Sequence, residues 1–268
     1  MLTSVWLLTS CYPEWKLSRA YIESKPDISI LLLPVNFVFK SNLKVIEIGD
    51  TTGLTPFERD SLLMAKSIFL KDISDSIFLT TFINGMIEEF EALGFKVYLE
   101  NLTDSFLFLQ SPAYIFNIAQ LQLEEHYSEF EDEAEYGDYV YHKKLDLNAI
   151  TYNSWFEMNE LNDPKSARKL FFSSETITDQ ITGYFTENLI TGEVEYKYFE
   201  SEIDLDIIYH YAGVFARRYA GYAFDYILNE HLNENWPPDK QRRFYMRYNR
   251  SNNTLDPAGD ERFIEIEE

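Results

Sequence analysis

Ile28-Ser29-Ile30-Leu31-Leu32-Leu33-Pro34-Val35 restricts the fold more than any other stretch of this sequence. A short, almost continuous aliphatic run closed by proline has no polar face to leave in water. It therefore reads as a strand buried on both faces. Phe37 to Ile48 extends this strand or forms a second one, and Gly49 to Gly53 with Pro56 mark a loop. Residues 58 to 71 carry a weaker helical pattern. From Asp75 to Leu93 the helical pattern is clear: Ile77, Phe78, Phe82, Met86, Ile87, Phe90 and Leu93 recur at helical spacing. Asp75 or Ser76 is placed to cap this helix and Gly94 to stop it. Phe95 to Leu99 then returns as a strand. Strand, helix and strand in this order predict a crossover unit on a mixed sheet.

The middle of the chain alternates at period two. Ala119, Leu121 and Leu123 interleave with Gln120, Gln122 and Glu124, and Ile150, Tyr152, Phe156 and Met158 with Thr151, Asn153, Glu157 and Asn159. Each pattern is a strand with one wet face, which places Trp155 on such a face as a contact candidate. Leu170 to Thr178 and Ile181 to Phe199 read as further strands, the second with a hairpin at Thr191-Gly192. Leu205 to Leu232 reads as one long helix whose Ala212, Gly213, Ala216, Ala220, Gly221 and Ala223 allow close approach to a sheet or another helix. Trp236-Pro237-Pro238 ends it. The expected fold is thus α/β (α+β), a mixed and largely antiparallel sheet packed by two main helices in a single domain over residues 28–233. Residues 234–268 read as a polar C-terminal tail with little core of its own.

Composition narrows the function. Of 268 residues, 45 are Asp or Glu and 23 are Lys or Arg, giving a net charge of −22. That balance weighs against nucleic acid, because no cationic excess exists to neutralise phosphates. It also disfavours broad adsorption to anionic membranes. A single cysteine excludes an intramolecular disulfide and a cysteine-based zinc site. The run Glu124 to Asp138 is rich in acids but lacks the glycine-punctuated spacing of a calcium loop, so it reads as a solvated hairpin loop. His126, His142, His210 and His231 form no metal-binding pattern. No nucleophile-elbow, P-loop or dinucleotide motif occurs. Asp204 and Asp206 suit a helix N-terminus. Arg217-Arg218 are expected to pair with neighbouring acids, and His210 and Tyr211 to pack. No residue is assigned a catalytic, cofactor-binding or metal-ligating role.

The lone cysteine is the most telling residue for location. Leu8-Thr9-Ser10-Cys11 resembles the lipobox of bacterial lipoprotein signal peptides, with an aliphatic residue at −3 and small residues at −2 and −1. The resemblance implies that Cys11 is lipidated and becomes the mature N-terminus, with residues 1–10 a residual signal peptide and 11–27 a lipidated tether. Acyl chains on one cysteine anchor a domain firmly, at about 0.8 kcal/mol per buried methylene. Met1 to Leu8 has no positive charge and is shorter than a complete signal, so the reading frame is expected to extend upstream. Tyr12 follows the cysteine where aspartate would favour inner-membrane retention, which implies an outer-membrane lipoprotein facing the periplasm.

The order of elements is similar, in layout alone, to the α/β accessory lipoproteins of bacterial envelopes, including the curli-secretion and transport-auxiliary groups. That resemblance implies a lipid-anchored envelope accessory protein that binds partner proteins during transport or assembly. Its partners would be envelope proteins, with the membrane reached through the lipid. Trp155 and Trp236 are the contact candidates. The alternative is a secreted or anchored hydrolase whose carboxylates no motif singles out.

Overall fold

The aliphatic run forms β1 (Ser29–Leu33), and its surroundings explain its composition. The computed structural model describes residues 13–110, 112–161, 168–239, 241–259 and 263–266. In the seven-stranded sheet β1 lies beside β3 (Lys96–Leu99) and β4 (Ala113–Tyr136), parallel to both. Beyond β4 follow β5 (Tyr139–Glu160), β6 (Lys169–Thr178) and β11 (Ile264–Ile266), all antiparallel. A short β2 (Phe39–Asn42) joins β4 further along the same edge as β1, also parallel. Ile30 and Leu32 enter the main core, whereas Leu31 and Leu33 enter a second, small cluster with Phe106 of α4 (Thr103–Leu107). The strand is buried on both faces because two different layers cover it.

The main layer consists of α3 (Asp75–Ala92) and α5 (Leu205–Glu234), the two helices expected from apolar spacing. Asp204 caps α5 by accepting the Ile207 N–H at 2.8 Å. For α3 the cap is Ser74, one residue before the expected pair. Asp75 is instead engaged with Lys40 at 2.6 Å and with the Val38 N–H at 3.2 Å. Gly94, at φ +96°, supplies the left-handed residue that ends α3. Phe82, Phe90, Phe215 and Phe224 are all buried. Phe90 meets Phe116 of β4 with centroids 5.7 Å apart, and Phe215 meets Tyr152 of β5 at 4.9 Å. Phe82 packs between the helices against Tyr219, and Phe224 packs on Phe95 just before β3.

The small residues of α5 serve its contact with α3. A methyl group built on Gly85 would stand 2.8 Å from the carbonyl oxygen of Gly213 and 3.3 Å from the Ala216 Cβ. Two backbones this close leave no room for a side chain.

Both ends of the chain differ from expectation. Residues 13–24, read as part of a tether, form α1 (Pro13–Ser24), which buries Glu14, Ser18 and Tyr21 at helical spacing. Tyr21 stacks near His231 at 4.5 Å and also meets Phe224. The residues read as a polar tail form a hairpin, β9 (Tyr245–Asn249) with β10 (Thr254–Ala258), and the strand β11. Met246, Leu255 and Phe263 are buried in the main core. The polar residues around them are used rather than solvated. The Asn229 side chain donates to the Met246 carbonyl at 2.7 Å and accepts its N–H at 2.9 Å, and the Asp225 carboxylate accepts the Tyr248 N–H at 2.8 Å. Among the described residues the packed domain therefore runs from Pro13 to Ile266, beyond the expected 28–233 at both ends.

Gly85→Ala should destabilise the domain by about 1–3 kcal/mol, because overpacking forces the two helices apart. Urea denaturation checks this. Gly221→Ala on the same helix, where no atom lies within 4 Å of an added Cβ, should cost nothing.

Candidate functional site

β4 and β5 are much longer than the sheet they belong to. β1 pairs with β4 up to Asn117 and β2 with β4 from Gln122 to Glu125, while β6 pairs with β5 between Ala149 and Met158. Beyond Glu125 and Asn148, the two strands pair only with each other among the described residues, out to the turn at Gly137 (φ +61°). At about 3.3 Å per residue, residues 126–136 carry this ribbon roughly 35 Å past the sheet.

The acidic segment 124–138 is thus strand and turn, not a loop. The reason lies in the returning strand. Glu131 faces Lys144, Asp132 faces Lys143 and Glu133 faces His142 across the ladder. The Lys144 ammonium sits 3.2 Å from both Glu129 and Glu131, and His142 lies 3.6–3.7 Å from Glu131 and Glu133. Opposite charges placed across an antiparallel pair stabilise it.

A second hairpin, β7 (Gln180–Glu187) and β8 (Val194–Ser201), runs alongside. The Tyr136 hydroxyl donates to the Phe185 carbonyl at 2.9 Å, and the Tyr196 hydroxyl donates to Asp132 at 2.9 Å. Burial, followed by the Asp132 bond, pushes the Tyr196 phenol above its usual range. Gly183 makes room for Tyr196, whose ring would have to move to accept an added Cβ. The two hairpins form one arm.

The arm is fixed at its root by a buried ion pair. Lys44 and Glu125 have side chains with no solvent exposure, and Nζ lies 3.0 Å from Oε1. Glu125 also accepts the Ser67 hydroxyl at 2.6 Å and the N–H groups of Ile68 at 2.9 Å and Phe69 at 3.0 Å. Lys44 donates to the Asn148 side-chain oxygen at 2.7 Å. The Asn148 amide in turn donates to Asp179 at 2.9 Å, and Asp179 accepts the Ile203 N–H at 2.8 Å. Glu125, Lys44, Asn148 and Asp179 thus join the start of both hairpins to the segment entering α5. Tyr127, the next residue outward on this face, covers Lys44 with its ring at 4.5 Å. Its hydroxyl donates to Glu47, which with burial pushes the phenol up to about 12.

At the outer end the arm presents apolar side chains. Leu189 and Ile190, in the β7–β8 turn, are 92% and 95% exposed, whereas Phe199, 73% exposed, lies back toward the root opposite Thr182. Tyr139 at the β4–β5 turn is 71% exposed, with Val140 and Tyr184 also exposed. Side chains of this type usually seek cover. None of these residues was singled out from sequence. The available signal was a Leu-Ile pair beside the predicted Thr191-Gly192 turn.

The sequence-predicted contact residues lie elsewhere and apart from each other. Trp155 is half-buried on the sheet face opposite the helices, its ring 5.0 Å from that of Phe172. Trp236 is half-buried in the turn after α5. Cys11 lies outside the described residues. Arg217 and Arg218 pair with Glu88 at 3.4 Å and Glu175 at 2.6 Å, as their acidic surroundings implied. Among the described residues no cluster of three or more His, Cys, Asp or Glu could hold a metal ion, and no helix is long and apolar enough to cross a membrane. A cleft beside α5 contains Glu175 and Glu202, with Arg218 already on Glu175. No protein-family model and no curated protein matches this chain.

The root gives a stability signature. Burial raises the Glu125 carboxyl, but the bonds from Ser67, Ile68, Phe69 and Lys44 outweigh it and hold it below the usual carboxylate range. A depressed folded-state value means stabilisation present above the unfolded carboxylate range and lost as pH falls through the folded value. Glu125→Ala should cost about 3–5 kcal/mol, because it strands the Lys44 charge. The double variant Lys44→Met, Glu125→Leu should recover only the part of this loss due to the stranded ammonium, because the N–H groups of Ile68 and Phe69 still lack their acceptor, and it should show a shallower fall of stability in acid. Urea denaturation from pH 7 to pH 3 measures both.

Proposed function

We propose that this protein is a lipid-anchored accessory protein of the bacterial cell envelope that holds a partner protein with its arm and performs no chemistry itself. The observation that carries the reading is the exposure of Leu189 and Ile190 at the end of an arm whose root is locked by a buried ion pair. Covering apolar surface contributes roughly 25 cal/mol per Å², so these side chains favour a partner that buries them. The rooting supports the same reading: an arm already ordered loses less entropy on binding than a flexible loop. Acids flanking the tip, among them Glu187, Glu193 and Glu195, would favour a partner with basic residues around an apolar centre.

The anchor rests on the Leu8-Thr9-Ser10-Cys11 sequence. Cys11 precedes the first residue of α1 by two positions, so a lipid there would hold the folded domain close to the membrane rather than on a long tether. Tyr12 after the cysteine supports placement at the outer membrane, facing the periplasm.

Replacing Leu189 and Ile190 together by glutamate should leave the melting temperature unchanged and abolish recovery of the partner from cross-linked native membranes. Cys11→Ser should move the protein from the detergent phase to the aqueous phase, because serine offers no thiolate to alkylate. Undiminished recovery with the tip variant would overturn the arm's role. Retention of the serine variant in the detergent phase would overturn the anchor.

A further inference from the structure

At the end of the sheet away from the arm, where β1 begins and α3 ends, a cleft of about 380 Å³ opens beside α1. This is near the lower limit for small-molecule sites, which run from about 300 to 1,000 Å³. Ile28, Phe95 and Phe224 form its buried floor, and Tyr248 lines it above Phe224 with ring centroids 5.5 Å apart. The charged residues of its lining are Lys25 and Arg250. Two cations facing one apolar cleft stand out in a chain of net charge −22.

The two cations are held differently. Arg250 is set by a two-pronged pairing with Glu89 on α3, at 2.9 and 2.8 Å. Lys25 makes no ion pair among the described residues. Its backbone is also unusual. It follows the last residue of α1 with φ +46°, a left-handed position where glycine is the ordinary choice. It also precedes Pro26, which restricts its conformation further. Strained backbone positions cluster at functional sites. Glycine would end the helix at lower cost, but it would leave the lip without its unpaired ammonium.

We propose that this cleft binds a small amphipathic anion, its apolar body on Ile28, Phe95 and Phe224 and its charged head between Lys25 and Arg250. A medium-chain alkyl carboxylate and a fused-ring aromatic carboxylate share this chemistry. Titration calorimetry of the full chain with decanoate and, separately, with 2-naphthoate distinguishes them. One of the two should bind with a dissociation constant below 1 mM, at least tenfold tighter than decyltrimethylammonium, which has the same kind of body and the opposite charge. Lys25→Gly should weaken that binding at least tenfold while leaving the melting temperature equal or higher, since glycine relieves the left-handed position. Ala92→Trp, which places a ring in the cleft from its exposed rim, should abolish binding without unfolding the chain. The proposal is overturned if neither anion binds at millimolar concentration, if the ammonium compound binds as well, or if Lys25→Gly leaves affinity unchanged.

Discussion

Two charges removed from water hold this structure together at its most demanding point. Burying Lys44 and Glu125 costs several kcal/mol per ion before any contact is made. The cost is met because nearly every hydrogen-bonding position on the two groups is filled. Glu125 takes bonds from a hydroxyl, backbone amides and an ammonium, while Lys44 bonds a carboxylate and an amide and lies against the Tyr127 ring. The bonded groups come from the segment after β2, the turn before α3, β4 and β5. Asn148 then passes the linkage to Asp179, and so to the strand start of the second hairpin and the entry to α5. Removing either charge disturbs all of these at once. A hydrophobic pair of the same size would fill the space but could not fix the 67–70 turn, whose N–H groups need an acceptor.

How much of this was legible depended on whether a segment carried its own periodicity. β1, α3 and α5 were readable because each has an apolar pattern that suits one secondary structure, and Gly94 and Asp204 punctuate it. Residues 13–24 were not. Glu14 and Ser18 occupy two of the three buried positions of α1 beside Tyr21, and a face that includes a carboxylate and a hydroxyl has a weak hydrophobic signature. Its burial is explained only by residues far away, where the Arg243 N–H meets Glu14 at 2.9 Å. The C-terminal hairpin was hidden for the same reason. Leu255 is a single apolar residue in polar surroundings and Phe244-Tyr245-Met246 is a short run between arginines, while the backbone of β9 is fixed by Asn229 and Asp225 on α5 at Met246 and Tyr248.

The arm shows a different kind of illegibility. Taken alone, the acids from Glu124 to Asp138 suggest a solvated loop. Read with His142-Lys143-Lys144 across Gly137, they face basic residues, and Lys144 pairs with Glu129 and Glu131, so the information was present but lay in the pairing rather than in either strand. Glu125 was one acid among many, and nothing local marked it as the buried one. Trp155 lies on the sheet face away from the helices, as its alternation implied, whereas Leu189 and Ile190 sit in turn-forming sequence with no periodicity to mark them.

The bond between Glu14 and Arg243 joins positions 229 residues apart, and this has a consequence for how the molecule is made. The long hairpin closes between near neighbours and can form as soon as its residues are available, whereas α1 has no surface to settle on until α5 and β9 exist. At roughly 5–20 residues per second, synthesis leaves α1 waiting roughly 10–50 seconds for its partner. The first helix in the sequence is therefore among the last to dock, and for that interval the beginning of the chain stays open to whatever machinery handles the nascent protein.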